Sequence, residues 1–308
     1  MDTPLDCLVI GGGPAGLTAA IYLSRFHLDI VVVDEGKSRA TWIPCTRNHA
    51  GYPEGISGIE LLERMRAQAV KYGTRIEPGR VTKLSRRDDG LFEAEWGGAT
   101  LQARAVLLAT GVTNRKPPMD EELHDVALAK GLIRYCPVCD GYEVTDKRIG
   151  VIGSAERGVS EAIFLRSFTA DVTLIAPDAA LDVSPEDQKR LEDAGIKTVD
   201  GPAQAVAASE ECIVINTAAG THSFDSVYPA LGSDTHIQLA GMVGADLSGE
   251  ACVKVDSHQR TSVAGFYAAG DVVLGLDQIS HAMGEGGVAA TTIRNDLSKE
   301  RPIYRQSP

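Results

Sequence analysis

The chain of 308 residues carries a formal charge of −12, with 44% hydrophobic residues, 23% charged residues and 32 glycines. Its length predicts two domains of a globular protein rich in tight turns, not a disordered or fibrous chain. The acidic balance excludes a general attraction to nucleic acid or to an anionic membrane, and no apolar run in the sequence is long enough to span a bilayer.

The opening MDTPLDCLVIGGGPAG has no basic stretch ahead of its apolar run, so it does not read as a secretory signal and a cytoplasmic setting is expected. Leu5 to Ile10 is predicted as a buried strand. A glycine turn, a helix with Ala and Leu on one face and a second strand ending in Asp34 and Glu35 complete a β-α-β unit. Within the turn, Gly11, Gly13 and Gly16 fit G-x-G-x-x-G, with Pro14 and Ala15 between the last two. Gly11 permits the tight turn, Gly13 admits a pyrophosphate to the backbone, and Gly16 lets helix and strand pack closely. Asp34 or Glu35 is the acid expected on a ribose hydroxyl.

A helix is predicted at about Ile59 to Tyr72, shorter strands within RIEPGRVTKLSRR and LFEAEW, and a buried strand from Ala105 to Gly111. A polar segment, TNRKPPMDEELHD, then leads to RYCPVCDGYE, which holds Cys136, Cys139 and Asp140. A second strand, turn, helix and strand follow from Arg148 to Asp178, so the chain contains two Rossmann-like units. Short strands complete the second domain. The tail returns to strand, glycine turn and helix in FYAAGDVVLGLDQISHAMGEGG. There Gly270 and Asp271 end a strand, and Gln278 with the amides around Ile279 opens a helix whose positive end suits a reduced flavin. FAD is long enough to engage both chain ends.

Six cysteines in a chain of this length do not form a secreted disulfide framework, and an isolated one such as Cys7 suits a core. The Cys136–Cys139 pair can form an easily reduced disulfide, and a helix starting beside it favours a thiolate. Asp140 is placed either to carry a proton to or from a leaving thiolate or to cap a turn. A metal site would need two further ligands, and none is suitably spaced. His124 and His281 read as ordinary polar positions.

Taken in order, GGGPAG, ATG at Ala109 to Gly111, CPVCDG and FYAAGD resemble the low-molecular-weight thioredoxin reductases, class II pyridine nucleotide-disulfide oxidoreductases, over nearly the whole chain. The resemblance implies an α/β fold of two Rossmann-like, three-layer ββα-type nucleotide-binding domains, the second inserted into the first. It divides the chain into an FAD-binding domain at 1–113 and 243–308 and a module at 114–242 resembling an NADPH domain and carrying the cysteines. It further implies one FAD per chain, a homodimer, and a redox disulfide serving a thioredoxin-like protein or a small dithiol/disulfide. The flavin contacts implied are those above together with Asn48, Val81, Ala109, Thr110 and Gly111. By the same resemblance Cys139 faces the flavin and Cys136 meets the partner.

The second Rossmann unit departs from the family pattern. It reads Gly153-Ser154-Ala155-Glu156-Arg157-Gly158, with Ala155 where a glycine should admit pyrophosphate and Glu156 adding negative charge. After the next strand, LIAPDAALD offers Asp178 and no arginine for a 2′-phosphate. Arg157 and Arg166 are the nearby cations. The alternative expectation is therefore an NADPH-independent relative, driven by ferredoxin, linked to a second flavin, or running as a dithiol oxidase. A non-enzymatic flavin redox sensor is the remaining alternative.

Overall fold

The computed structural model describes residues 3–209 and 211–304, without the side chain of Val206. The described chain divides into two units: Met1–Ile43, Ser57–Thr113 and Thr235–Pro308 form the first, Pro44–Ile56 and Asn114–Asp234 the second.

The first unit begins with β1 (Leu5–Ile10), α1 (Pro14–Arg25) and β2 (Ile30–Asp34), then α2 (Gly58–Lys71) and strands β3 (Arg75–Pro78), β4 (Val81–Arg86), β5 (Phe92–Trp96) and β6 (Ala99–Leu108). Its sheet runs β3-β2-β1-β6-β5-β4, and a late strand, β16 (Phe266–Ala268), joins β6 in parallel. β1 lies between β2 and β6, parallel to both, with Cys7 opposite Ile30 and Ala105. All six residues of β1 are buried, as a strand covered on both faces requires. Alternation sends Cys7 and Val9 to one core with Leu23 and Ile293, and Leu8 and Ile10 to another with Leu84 and Phe266. Cys7 is a core residue, fully buried, and desolvation pushes its thiol pKa well up. The helix expected at Ile59 to Tyr72 is α2, whose first turn is capped by the Ser57 hydroxyl accepting from the Glu60 amide at 3.1 Å.

The chain crosses between units at β7 (Val112–Asn114) and returns at β15 (Ser233–Thr235), and these two strands pair. Between them lie α3 (Glu121–Ala129), α4 (Pro137–Asp140), β8 (Ile149–Ile152), α5 (Ala155–Leu165), β9 (Val172–Ile175), α6 (Pro185–Asp193), β10 (Lys197–Val199), β11 (Gln204–Ala208), β12 (Ile213–Thr217), β13 (Gly220–Phe224) and β14 (Ser226–Pro229). A parallel sheet, β10-β9-β8-β14, carries the second strand-turn-helix, and an antiparallel sheet, β11-β12-β13, stands beside it in sequence. Val151, Leu174, Val159 and Tyr228 share one core; Ile152, Ile133, Ile215 and Val227 share another.

Residues 235–242, expected in the inserted module, lie in the first unit. The cause is α7 (Gln238–Met242), whose Leu239 and Ala240 are buried with Val81 and Leu84 of β4. The loop 44–56 belongs to the second unit, closed at its base by the Thr46–Ile56 bridge.

The final helix, α8 (Ile279–Glu300), packs through small residues against α1. A Cβ added at Gly286 would stand 3.2 Å from Ala15 Cα and closer still to its carbonyl, so only glycine permits this approach. At Gly284, two residues earlier, an added Cβ meets nothing within 4 Å. Gly286→Val should therefore cost about 1–3 kcal/mol through overpacking, whereas Gly284→Ala should be neutral or stabilising by about 0.5–1 kcal/mol. Urea unfolding midpoints of the two variants check this, and equal midpoints would contradict it.

Candidate redox site

At the end of β1, Gly11 has φ +109° and donates its amide to the Val33 carbonyl at 2.9 Å. Two residues later Gly13 is the N-cap of α1, with no side-chain cap bond, and Pro14 occupies the first helical position. An added Cβ at Gly16 would stand 3.1 Å from Gly11 C, so this glycine sets the distance between helix and strand. At Gly13 an added Cβ meets only Ser38 Oγ, at 3.2 Å. Gly11 and Gly16 thus serve the protein's own packing, while the Gly13 position has only the Ser38 hydroxyl beside it, which leaves its backbone approachable by a pyrophosphate.

Asp34 lies under this turn, 9% exposed. One carboxylate oxygen accepts the amides of Gly12 and Gly36, both at 3.1 Å, and the other accepts Arg66 at 2.5 Å. Beside it is a cleft of about 140 Å³ lined by Gly12, Asp34, Gly36, Ser38, Thr41 and Arg66, among others. Glu35 is turned away and pairs with Lys37 at 2.9 Å, which together with Arg80 holds its carboxyl below the usual range. Of the two acids, Asp34 is the one fixed beside the turn. Arg66 carries no local sequence signal, because its partner lies on another element 32 positions away.

Ala109 to Gly111 follow β6, and Gly270 and Asp271 follow its parallel neighbour β16. Ala109 follows β6 and is buried, the Thr110 hydroxyl donates to the His236 carbonyl at 2.8 Å, and the Gly111 carbonyl accepts the His236 amide at 3.0 Å. Gly270 has φ +78° and donates its amide to Glu285 at 2.7 Å. Asp271 is ion-paired with Arg39 at 2.7 Å, yet burial still pushes its carboxyl up to about 6. Gln278 is the N-cap of α8 and Ile279 its first residue. His281 pairs with Glu285 at 3.1 Å. Val81 opens β4 with its side chain 5% exposed, in the core with Leu84.

In the second unit, Cys136 and Cys139 are joined as a disulfide with their Cα atoms 5.3 Å apart. Pro137 starts the single turn of α4 with Cys136 as N-cap, and the Cys139 amide donates to Cys136 Sγ at 3.2 Å. Asp140 follows, one oxygen accepting the Tyr228 hydroxyl at 2.9 Å and the other accepting Arg134 at 2.9 Å. Burial raises its carboxyl pKa even so, outweighing Arg134 and Tyr228, which lower it. Asn48, expected among the flavin contacts, lies in this unit and donates to the Val138 carbonyl, between the two cysteines, at 3.4 Å. His124 is a buried neighbour of this segment, bonded to the Tyr135 hydroxyl at 2.8 Å. Among the described residues no group of three or more His, Cys, Asp or Glu is arranged to hold a metal ion.

The second strand-helix turn differs from the first in a way that can be followed atom by atom. Gly153 donates to Ile175 O at 3.0 Å, as Gly11 does to Val33 O, and an added Cβ at Gly158 would stand 2.7 Å from Gly153 C. The helix-packing glycine is therefore retained. The N-cap, however, is Ser154, one residue after Gly153, so this turn is one residue shorter. Ala155 opens α5 at φ +51°, a region costly for a residue with a Cβ, and its amide donates to the Asp182 carbonyl at 2.9 Å. Arg166 is at the far end of α5, bonded to the Ala194 and Thr169 carbonyls at 2.7 and 2.5 Å. A methyl group thus stands where the first turn has Gly13, the Ala155 amide is taken by a chain carbonyl, and Glu156 and Asp182 are exposed.

The model of the family described as pyridine nucleotide-disulphide oxidoreductase matches residues 5–286. A thioredoxin reductase of Treponema pallidum is 31% identical over 306 residues, covering 94% of this chain and 96% of the relative. One from Streptomyces coelicolor is 31% identical over 286 residues, covering 89% and 87%. The crystal structure of thioredoxin reductase from Streptococcus pyogenes superposes with a TM-score of 0.88 at 27% identity, covering 97% of this chain and 100% of that one. No helix among the described residues is long and apolar enough to cross a membrane. The chain belongs to the pyridine nucleotide-disulphide oxidoreductase family and is a flavoprotein disulfide oxidoreductase of the thioredoxin reductase-like kind.

Proposed function

We propose that the chain carries one FAD and passes electron pairs between it and the Cys136–Cys139 disulfide, and from there to or from a thioredoxin-like protein or a small dithiol. The observation that carries the thiol roles is the Cys139 amide donated to Cys136 Sγ at 3.2 Å. A backbone N–H aimed at sulfur favours the thiolate, so Cys136 is the sulfur that attacks the partner and Cys139 the one that closes the disulfide on the flavin side. In the reducing direction the Cys136 thiolate attacks the partner disulfide, whose S–S bond breaks, and the departing thiolate takes a proton from Asp140. The Cys139 thiol then gives its proton to Asp140, attacks Cys136 in the mixed disulfide, re-forms the Cys136–Cys139 bond and releases the second partner sulfur as a thiolate. Oxidation of a dithiol runs the same steps backwards.

Bound FAD supplies a two-electron donor and acceptor. Gly11, Gly13, Pro14, Ala15 and Gly16 would cradle its pyrophosphate, with Asp34 on the ribose. Ala109, Thr110, Gly111, Gly270, Asp271, Gln278 and Ile279 would hold the remainder. Glu35 and Val81 contribute least: the first is turned to Lys37 and the second is packed in the core. Gly13→Val should leave far-UV circular dichroism unchanged while lowering the ratio of flavin to protein absorbance in the purified protein. A full flavin complement in that variant would contradict the cradle.

The sulfur roles are tested by exposing each single-cysteine variant to an aromatic disulfide and mapping the modified peptides. Cys139→Ser should retain a stable mixed disulfide at position 136, and Cys136→Ser should be modified at position 139 at least about tenfold more slowly. Equal labelling at both positions would overturn the order of attack.

The closed turn at Ala155 favours a second reading, in which electrons enter from a donor other than a nicotinamide. A ferredoxin, a second flavin, or partner dithiols feeding an oxidase are the classes compatible with it. Under anaerobic conditions NADPH and NADH should leave the flavin absorbance unchanged over minutes. Rapid bleaching by NADPH would contradict this reading.

A further inference from the structure

Both carboxylate oxygens of Asp140 are held by side chains that the thiol chemistry described above does not use. Arg134 Nη1 donates to Oδ2 at 2.9 Å and the Tyr228 hydroxyl donates to Oδ1 at 2.9 Å. Neither holder is free to wander. Arg134 Nε is tied to the Gly131 carbonyl at 3.0 Å, a carbonyl that also accepts Ser226 Oγ at 2.9 Å from β14. Tyr228, on the same strand, has its ring fully buried with Val151 and Leu174. The remaining charged neighbour is Glu143, whose negative field opposes ionisation of the carboxyl.

We propose that Arg134 and Tyr228 are positioning residues for the proton transfer that accompanies opening of the Cys136–Cys139 disulfide, each fixing one oxygen of Asp140; this rests on the proposed role of Asp140. The guanidinium has no lone pair to accept a proton, so its bond to Oδ2 favours protonation at Oδ1. Tyr228 is suited to both states of that oxygen. Its hydroxyl lies 2.9 Å from Oδ1 and 3.3 Å from the Asp140 backbone carbonyl. It donates to Oδ1 when the carboxylate is charged. A rotation of the hydroxyl hydrogen lets it donate to the carbonyl and accept from a protonated Oδ1. The hydroxyl and Oδ1 keep a hydrogen bond between them in both states, which removes a cost that would otherwise slow the transfer.

The step runs as follows for a dithiol substrate. A substrate thiolate attacks Cys136 Sγ, the Cys136–Cys139 bond breaks, and the Cys139 thiolate takes the proton from Asp140. The second substrate thiol then gives its proton to the Asp140 carboxylate and displaces Cys136 as a thiolate, closing the substrate disulfide, so that two electrons pass from substrate to protein.

The test follows opening of this disulfide on mixing the oxidised flavoprotein with dithiothreitol. Rapid-quench alkylation and mass analysis of the Cys136/Cys139 peptide report it, with rates corrected for the thiolate fraction of dithiothreitol at each pH. The protonated carboxyl is the active form, so the wild-type rate should fall as pH rises through the ionisation of Asp140. Arg134→Gln and Tyr228→Phe each remove a group that favours the carboxylate, and both should move that limb to higher pH. At the plateau each should also slow opening by roughly tenfold to a hundredfold, as expected of a misplaced acid. Arg134→Lys should return the limb toward the wild-type position, which a purely structural role would not require.

Asp140→Asn should abolish the limb. If Asp140→Asn abolishes it but Arg134→Gln and Tyr228→Phe leave its position unchanged, the acid stands and the positioning proposal is overturned. If Asp140→Asn keeps the wild-type profile, the role of Asp140 falls and the positioning proposal with it.

Discussion

Close approach of helix to strand at a β-α crossover is the constraint on which both halves of this molecule depend. In the first unit Gly16 and Gly11 meet with no room for a side chain, and in the second Gly158 and Gly153 do the same. That pair of glycines serves the fold, since without it α1 or α5 would be lifted from its sheet. The middle position of each turn carries no such packing duty. Gly13 has only the Ser38 hydroxyl beside it, whereas Ala155 carries a methyl group and gives its amide to a neighbouring carbonyl. A single architecture thus keeps its packing in both units and keeps the middle position of the turn free of a side chain in one.

The same separation of roles holds around the cysteines. Pro137 and the short turn after it place the Cys139 amide on Cys136 Sγ, a local consequence of four consecutive residues. The acid that follows is controlled from a distance, by Arg134 before the turn and Tyr228 on β14. The contact on sulfur is therefore set within the motif, while the carboxylate beside it is held by one residue before the turn and one on β14. Burial makes that distribution consequential: it raises the Asp140 carboxyl, and the two partners oppose it.

The parts legible in the sequence are those in which spacing alone fixes geometry. The apolar run Leu5 to Ile10, the glycine turn after it, the acid ending β2 and the Cys-x-x-Cys-Asp segment all occupy the expected local structures. The family resemblance then joined these local features into an α/β chain of two Rossmann-like units. What remained hidden depends on contacts between elements distant in sequence. Arg66 on Asp34, Arg39 on Asp271, Glu285 on the Gly270 amide and Tyr228 on Asp140 have no periodic or motif signal. The loop carrying Asn48 illustrates the same limit, because its asparagine bonds to the carbonyl between the cysteines in the second unit. The altered second turn was visible as Ala155 in place of glycine, but its closure by Asp182 required the folded loop.

Electron exchange between the disulfide and the flavin of one protein is the step on which the proposed function turns. Anaerobic titration with dithiothreitol, counting the dithiol consumed per chain as flavin absorbance falls, tests it most directly. The account predicts one dithiol for the Cys136–Cys139 disulfide and a second for the flavin, with flavin bleaching lost when both cysteines are replaced by serine. Flavin reduction by dithiothreitol at an undiminished rate in that double variant would contradict it.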